Sequence, residues 1–215
     1  MKKLLIINAS ARSERSISRF MTKVFVDVWS QNHPDDQIVY REVGQGNIPH
    51  VSEPWIAAAF KPAELRDSTD LGALKISDEL VAELKDADII VVGTPMYNWS
   101  VPSSLKAYID QVLRVNETVL ISNADIKNPY KGLLNDKEVY LLMVRGNMGY
   151  DVGDFYEHMD FQTNYLKTVF GIMGIDKVKH IAMNGAGMGE DAMLIARKMV
   201  NQLLEIPTDA SVLVR

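Results

Sequence analysis

Two short, unbroken apolar runs, Leu4-Leu5-Ile6-Ile7 and Ile89-Ile90-Val91-Val92, constrain this chain more than any other feature. Each is shorter than a helix needs and lacks the alternation of a sheet with one wet face. Both therefore read as strands covered on both faces, the pattern of a parallel sheet. After the first run the period changes: Ile17, Phe20, Met21, Val24, Phe25 and Val28 recur at three- and four-residue spacing, an amphipathic helix that ends before His33-Pro34. Ile38 to Val43 is a second, less apolar strand, expected nearer an edge. Ile76, Leu80, Val81 and Leu84 mark a second helix, and the run 89–92 marks the expected centre of the sheet.

Pro102 fits the first turn of a helix that Leu105, Ile109, Val112 and Leu113 continue. Val139 to Val144 reads as a fourth strand, Phe161 to Ile172 as a helix, Val178 to Ala182 as a fifth strand, and Leu194 to Leu204 as a last helix. Strands alternating with helices predict a three-layer α/β domain: a five-stranded parallel sheet with helices on both faces. Without repeats or linkers, residues 1–215 are expected to form a single domain.

Two stretches exceed simple connections. Residues 44–75 carry Pro49, Trp55, Ile56 and Phe60, which require burial somewhere, a partner subunit being one candidate. Residues 145–160 mix Gly146, Gly149 and Gly153 with Tyr150, Phe155 and Tyr156, a candidate lid.

Composition narrows the chemistry. With 23 Lys+Arg against 28 Asp+Glu the net charge is −5, and no basic cluster supports binding to a nucleic-acid backbone. Absence of cysteine removes disulfides, thiolate metal sites and a cysteine nucleophile. The apolar run behind Lys2-Lys3 stops at Asn8, and no run approaches the roughly 18 apolar residues of a membrane span. A cytoplasmic protein without membrane partners is expected. His33, His50, His158 and His180 lack metal-ligand spacing, so no metal is expected, and no Ser occupies a nucleophile elbow. His158 could donate a proton from the lid, but an exposed surface His is the plainer reading.

In an open parallel sheet, ligands bind beyond the carboxyl ends of the strands. After the first strand, Asn8-Ala9-Ser10-Ala11-Arg12-Ser13-Glu14-Arg15-Ser16-Ile17-Ser18 places four hydroxyls and two guanidiniums before a helix N-terminus. Unpaired N–H groups and the helix dipole favour an anion there, a phosphate above all, although one Ser is needed merely as a cap. The loop has no Gly and no Gly-Lys-Ser/Thr, so it is not a P-loop. After the third strand, Gly93-Thr94-Pro95-Met96-Tyr97-Asn98-Trp99-Ser100-Val101-Pro102 offers aromatic faces, a thioether and an amide between prolines: a wall for a flat ring, or a cover for the sheet end. Together the two loops suggest a mononucleotide, with FMN preferred. Gly185-Ala186-Gly187-Met188-Gly189 falls short of a dinucleotide fingerprint because Glu190 stands where the last glycine belongs. It reads instead as a glycine turn at the edge of the cleft.

Ser10 to Ser18, Pro95-Met96-Tyr97-Asn98-Trp99, Leu105-Lys106-Ala107-Tyr108-Ile109-Asp110 and Arg145-Gly146 resemble the FMN-dependent NADH-azoreductases, along essentially the whole chain. The resemblance implies a flavodoxin-like fold, with Ser10, Ser16, Ile17 and Ser18 on the FMN phosphate. Met96, Tyr97, Asn98 and Trp99 would border the ribityl chain and ring, and Val144, Arg145, Gly146 and Asn147 would face the ring's polar edge. Trp99 replaces the family's usual Phe, and Val144-Arg145-Gly146-Asn147 replaces Ser-Arg-Gly-Gly, leaving the backbone of Arg145 and Gly146 to serve. The implied activity is two-electron, ping-pong transfer from NADH or NADPH through FMN to quinones and aromatic azo compounds, in a homodimer with FMN at the interface. No side chain need act as a catalyst, because the chemistry resides on the flavin. The rival reading is a flavodoxin-type one-electron carrier without nicotinamide turnover.

Overall fold

A computed structural model describes residues 1–122, 124–186 and 191–205. In chain order its elements are β1 (Lys3–Asn8), α1 (Ile17–Asn32), β2 (Gln37–Glu42), α2 (Glu53–Phe60), α3 (Ser68–Asp86), β3 (Ile89–Pro95), α4 (Ser103–Val112), β4 (Val119–Ile121), β5 (Tyr130–Gly132), β6 (Glu138–Val144), α5 (Phe161–Ile172), β7 (Lys177–Met183) and α6 (Ala192–Leu203). The five strands β2-β1-β3-β6-β7 lie in that order, all parallel, so β3 is central and the less apolar β2 is an edge. This is the flavodoxin-like order, with its switch point between β1 and β3.

Burial explains the unbroken runs. Leu4 to Ile7 and Ile89 to Val92 are each at most 1% exposed, because successive side chains enter opposite layers. Leu5, Ile7, Ile90 and Val92 pack with Leu80 and Leu84 of α3, Leu105 and Ile109 of α4, and Leu166 and Phe170 of α5. Leu4, Ile6, Ile89 and Val91 pack with Met21, Val24 and Phe25 of α1 and Ala196 and Val200 of α6.

Two features were not read from sequence. Residues 44–75 contain α2 and an early start of α3. Trp55, Ala58 and Ala59 of α2 form a small core of their own with Leu74, so Trp55 needs no partner, whereas Ile56 and Phe60 stay 48% and 69% exposed. α3 begins eight residues before Ile76 because Asp67 and Asp70 close a capping box at its N-terminus. The second feature is an antiparallel hairpin of β4 and β5, separate from the main sheet.

Two glycines bring elements closer than a side chain permits. A Cβ on Gly44 would lie 2.1 Å from the Ser10 carbonyl, and one on Gly93 would lie 2.4 Å from Thr22 Cγ2 and 2.9 Å from the Ser18 carbonyl. The loop after β2 and the first turn of α1 are thereby drawn onto the carboxyl ends of β1 and β3. Among the described residues, no helix is long and apolar enough to cross a membrane.

Candidate cofactor-binding site

At the carboxyl ends of β1 and β3 lies a cleft of about 300 Å³, lined by residues of four strand ends: Ser10, Arg12, Arg15, Ser16, Ile17 and Ser18 after β1; Pro95, Met96 and Tyr97 at the end of β3; Val144 and Gly146 at the end of β6; and Ala186 after β7. Its volume is at the lower end of ligand sites.

One end gathers serine hydroxyls at the N-terminus of α1. Ser16 is the N-cap of α1 with an extended backbone, and its Oγ accepts the Arg19 N–H at 3.3 Å. Helix geometry leaves the N–H groups of Ile17 and Ser18 without intrahelical acceptors. Ser16 Oγ lies 3.2 Å from Ser18 Oγ, and Ser10 Oγ accepts the Arg12 N–H at 3.2 Å. Ser10, Ser16 and Ser18 are 2%, 5% and 1% exposed, so their hydroxyls are largely dehydrated before any ligand arrives. Arg19 fixes this loop from behind: it donates to the carbonyls of Arg12 at 2.6 Å and Ser10 at 2.7 Å, and pairs with both carboxylate oxygens of Glu42.

The other end is apolar. Met96 is held by its N–H to the Val144 carbonyl at 2.7 Å, which places Pro95, Met96 and Val144 side by side. Tyr97 and Ser100 exchange two backbone hydrogen bonds, at 3.0 and 3.1 Å, around Asn98 (φ 47°) and Trp99 (φ 66°). Two consecutive left-handed residues make a type I′ turn, a conformation that non-glycine residues adopt at a cost and that is frequent at functional sites. Asn98 and Trp99 form the tip of this turn and are outside the cleft lining. Trp99 is 46% exposed.

Arg145 is expected at the ring's polar edge through its backbone. Its side chain is buried away from the cleft, donating to Asp160 Oδ2 and Thr163 Oγ1 at 2.6 Å each, to Asp151 Oδ1 at 3.1 Å and to Asn184 Oδ1 at 3.3 Å. Its backbone is engaged too: the N–H donates to the Met183 carbonyl at 2.8 Å and the carbonyl accepts the Ala186 N–H at 3.0 Å. Among the described residues, that leaves the Gly146 N–H free at this strand end. Asn147 is exposed, accepting the Gly185 N–H on its carbonyl, and does not line the cleft.

Of the residues expected from sequence, eight meet in the cleft: Ser10, Ser16, Ile17, Ser18, Met96, Tyr97, Val144 and Gly146. Arg12 and Arg15, noted only as part of the anion loop, line it as well, as do Pro95 and Ala186. Ala186 belongs to the glycine stretch read as the cleft's edge; Gly187, Met188, Gly189 and Glu190 fall outside the described residues. His158 is exposed and does not line the cleft. Among the described residues, no group of acidic side chains and histidines is placed to hold a metal ion.

A second cavity, about 280 Å³, opens at the other end of the sheet among Leu4, Leu5, Val39 and Ala87. The charged groups around it are paired, Lys3 with Asp86 and Glu83 with Arg41, so it offers no free group to fix a ligand.

The donor set fits FMN. Dehydrated hydroxyls and helix N–H groups suit a phosphate, and the wall of Pro95, Met96, Tyr97 and Val144 suits a flat ring. The model of the flavodoxin-like fold family matches residues 2–206. FMN-dependent NADH:quinone oxidoreductase 1 of Trichormus variabilis is 43% identical over 204 residues, covering 94% of each chain. FMN-dependent NAD(P)H:quinone oxidoreductase 1 of Pseudomonas aeruginosa is 39% identical over 190 residues, covering 88% of this chain and 90% of that one. An FMN-dependent NADH-azoreductase from Bacillus anthracis, solved in complex with FMN, superposes with a TM-score of 0.83 over 95% of this chain and 98% of that one. At 22% identity it speaks for the fold alone. The chain belongs to the flavodoxin-like family that includes the FMN-dependent NADH:quinone oxidoreductases.

Proposed function

We propose that this chain is an FMN-dependent NAD(P)H:quinone oxidoreductase that also cleaves aromatic azo compounds, working by two-electron ping-pong transfer in a homodimer. The observation that carries the reading is the pairing, in one cleft at the β1/β3 switch point, of a dehydrated serine anion site with an apolar wall. Bound FMN would supply the ring that accepts a hydride and passes it on.

The residues divide the remaining work. Ser10, Ser16 and Ser18 and the first N–H groups of α1 hold the phosphate, in a loop kept rigid by Arg19 and Glu42. Pro95, Met96, Tyr97 and Val144 orient the ring and exclude water from one side. The Gly146 N–H, left free where the Arg145 backbone is engaged, would serve the ring's polar edge. Asn98 and Trp99, at the tip of the turn, would border the bound ring from outside the cleft lining. Among the described residues no carboxylate, imidazole or thiol lines the cleft, and the protein's part is binding and orientation.

Homodimerisation is part of the proposal. A cleft of about 300 Å³ covers little of a flavin, and Phe60, Trp99, Met148, Phe155 and Phe161 are each at least 46% exposed, apolar surface that a second copy would cover. The whole of residues 1–215 acts as one FMN-binding domain, in the cytoplasm, where nicotinamide donors are plentiful and a chain without cysteine lacks no crosslink.

The test is anaerobic titration of the FMN-loaded protein with NADH and then a quinone. Loss of flavin absorbance with NADH and full recovery with quinone are expected. Flavin that binds but stays oxidised under NADH would make the protein a one-electron carrier, and failure to bind FMN would overturn the cofactor assignment.

A further inference from the structure

The loop and first turn after β1 carry three arginines with two different fates. Arg19 is committed: its guanidinium is shared among Glu42 and the carbonyls of Ser10 and Arg12. Arg12 and Arg15 are exposed, line the cleft, and make no side-chain hydrogen bond or ion pair among the described residues. Glu14, the one carboxylate between them, is exposed, lies outside the lining and pairs with neither.

A single buried phosphate does not account for this arrangement. The serines that would hold it are at least 95% buried, whereas the two guanidiniums stand in solvent at the mouth. Unpaired cations there flank the anion end of the cleft and face solvent, where a second phosphate can reach them. In a chain of net charge −5 an incoming polyanion is repelled overall, so a local positive pair has a selective effect on its approach. The guanidinium fork matches phosphate oxygens two at a time, which an ammonium does not.

We propose that Arg12 and Arg15 read the phosphate groups of the nicotinamide dinucleotide donor as it enters over the bound FMN. They are specificity-determining residues for the donor, distinct from the serines that hold the cofactor. The inference rests on the function proposed above and deepens it. Two phosphates of the donor present the required chemistry: the pyrophosphate, common to NADH and NADPH, and the 2′-phosphate that only NADPH carries.

The test uses FMN-loaded protein and two non-reducing fragments, ADP-ribose and 2′-phospho-ADP-ribose, titrated calorimetrically. Parent, Arg12→Gln/Arg15→Gln, the double Lys variant and Lys23→Gln are compared; Lys23 is exposed on α1, into which the arginine loop leads, and lies outside the cleft, and so controls for bulk charge. The double Gln variant is expected to weaken fragment binding about tenfold or more, with partial recovery in the Lys variant. Weakening of both fragments places the pair on the pyrophosphate; weakening of the 2′-phosphorylated fragment alone places it on the 2′-phosphate. FMN affinity, measured on apoprotein, should change less than about threefold, since exposed charges beyond a dehydrated site contribute little to it. Unchanged fragment binding, equal loss in Lys23→Gln, or loss of FMN affinity in place of fragment affinity would each overturn the inference. Failure of the parent to bind FMN would instead overturn the functional reading itself.

Discussion

Arg145 Nη2 and Asp160 Oδ2 meet at 2.6 Å, joining the two ends of the segment that follows β6. Both side chains are buried, at 2% and 10% exposure, and Asp160 has a second duty: its Oδ1 accepts the Thr163 N–H at 2.9 Å as the cap of α5. Asp160→Ala would leave a buried guanidinium short of its main counter-charge and α5 uncapped. A loss of about 3–5 kcal/mol is expected, against a smaller loss in Asp160→Asn, which can still cap. Urea unfolding of both variants checks this. A cost below about 1 kcal/mol for Ala would show that the pair does not organise the segment.

Ser16 and Ser18 look equivalent in sequence but not in structure. Ser16 caps α1 as well as lining the anion site, whereas the Ser18 hydroxyl touches only Ser16 Oγ. Ser16→Ala is therefore expected to lower both folding stability, by about 1 kcal/mol, and FMN affinity; Ser18→Ala should lower FMN affinity with stability little changed. Paired unfolding and FMN titrations separate the two effects. Undiminished FMN affinity in the double variant would contradict the phosphate assignment.

Much of this is legible in the sequence because the signals are local. Apolar runs at 4–7 and 89–92 specify strands covered on both faces, and the position of the serines between a strand and a helix places Ser10, Ser16 and Ser18 at the cleft. What was missed depends on contacts distant in sequence. The side chain of Arg145 is turned inward by Asp160, Thr163 and Asn184, none of which is adjacent to it, and nothing in Val144-Arg145-Gly146-Asn147 reveals that. Trp55 finds cover from Leu74, nineteen positions on, across two helices whose short apolar spacing gives only weak periodicity. Strands β4 and β5 are three residues each, too short for alternation to register.

Asp36 gives the fold a pH dependence whose sign follows from its hydrogen bonds. Its Oδ1 accepts the Lys2 N–H at 2.6 Å and its Oδ2 the Trp29 indole N–H at 3.1 Å. The bond from Lys2 above all holds the carboxyl below its ordinary value of 3.8. A carboxyl that binds its proton more weakly folded than unfolded stabilises the fold above its ordinary pKa, and this contribution fades as the pH falls through 3.8 and then through the folded value. Asp36→Asn should thus be less stable than the parent at neutral pH, and the two should converge in acid. Urea midpoints of the pair across the acid range test it, and a gap that stays constant below pH 3.8 would contradict it.

At Trp99, backbone and side chain impose opposite demands, and substitution separates them. A φ of 66° there disfavours any residue with a Cβ by roughly 1–2 kcal/mol, and Asn-Gly is the preferred pair for this turn. Trp99→Gly and Trp99→Ala both remove the half-exposed ring; Gly alone relieves the backbone. Gly is therefore expected to be more stable than Ala by about 1 kcal/mol, while both lose catalytic efficiency with quinones to a similar extent. Equal stabilities would show that the left-handed turn carries no strain. Parental efficiency in both variants would show that the indole ring takes no part in binding the acceptor. If stability separates the two and activity does not, the turn keeps a disfavoured residue because the ring at its tip is used.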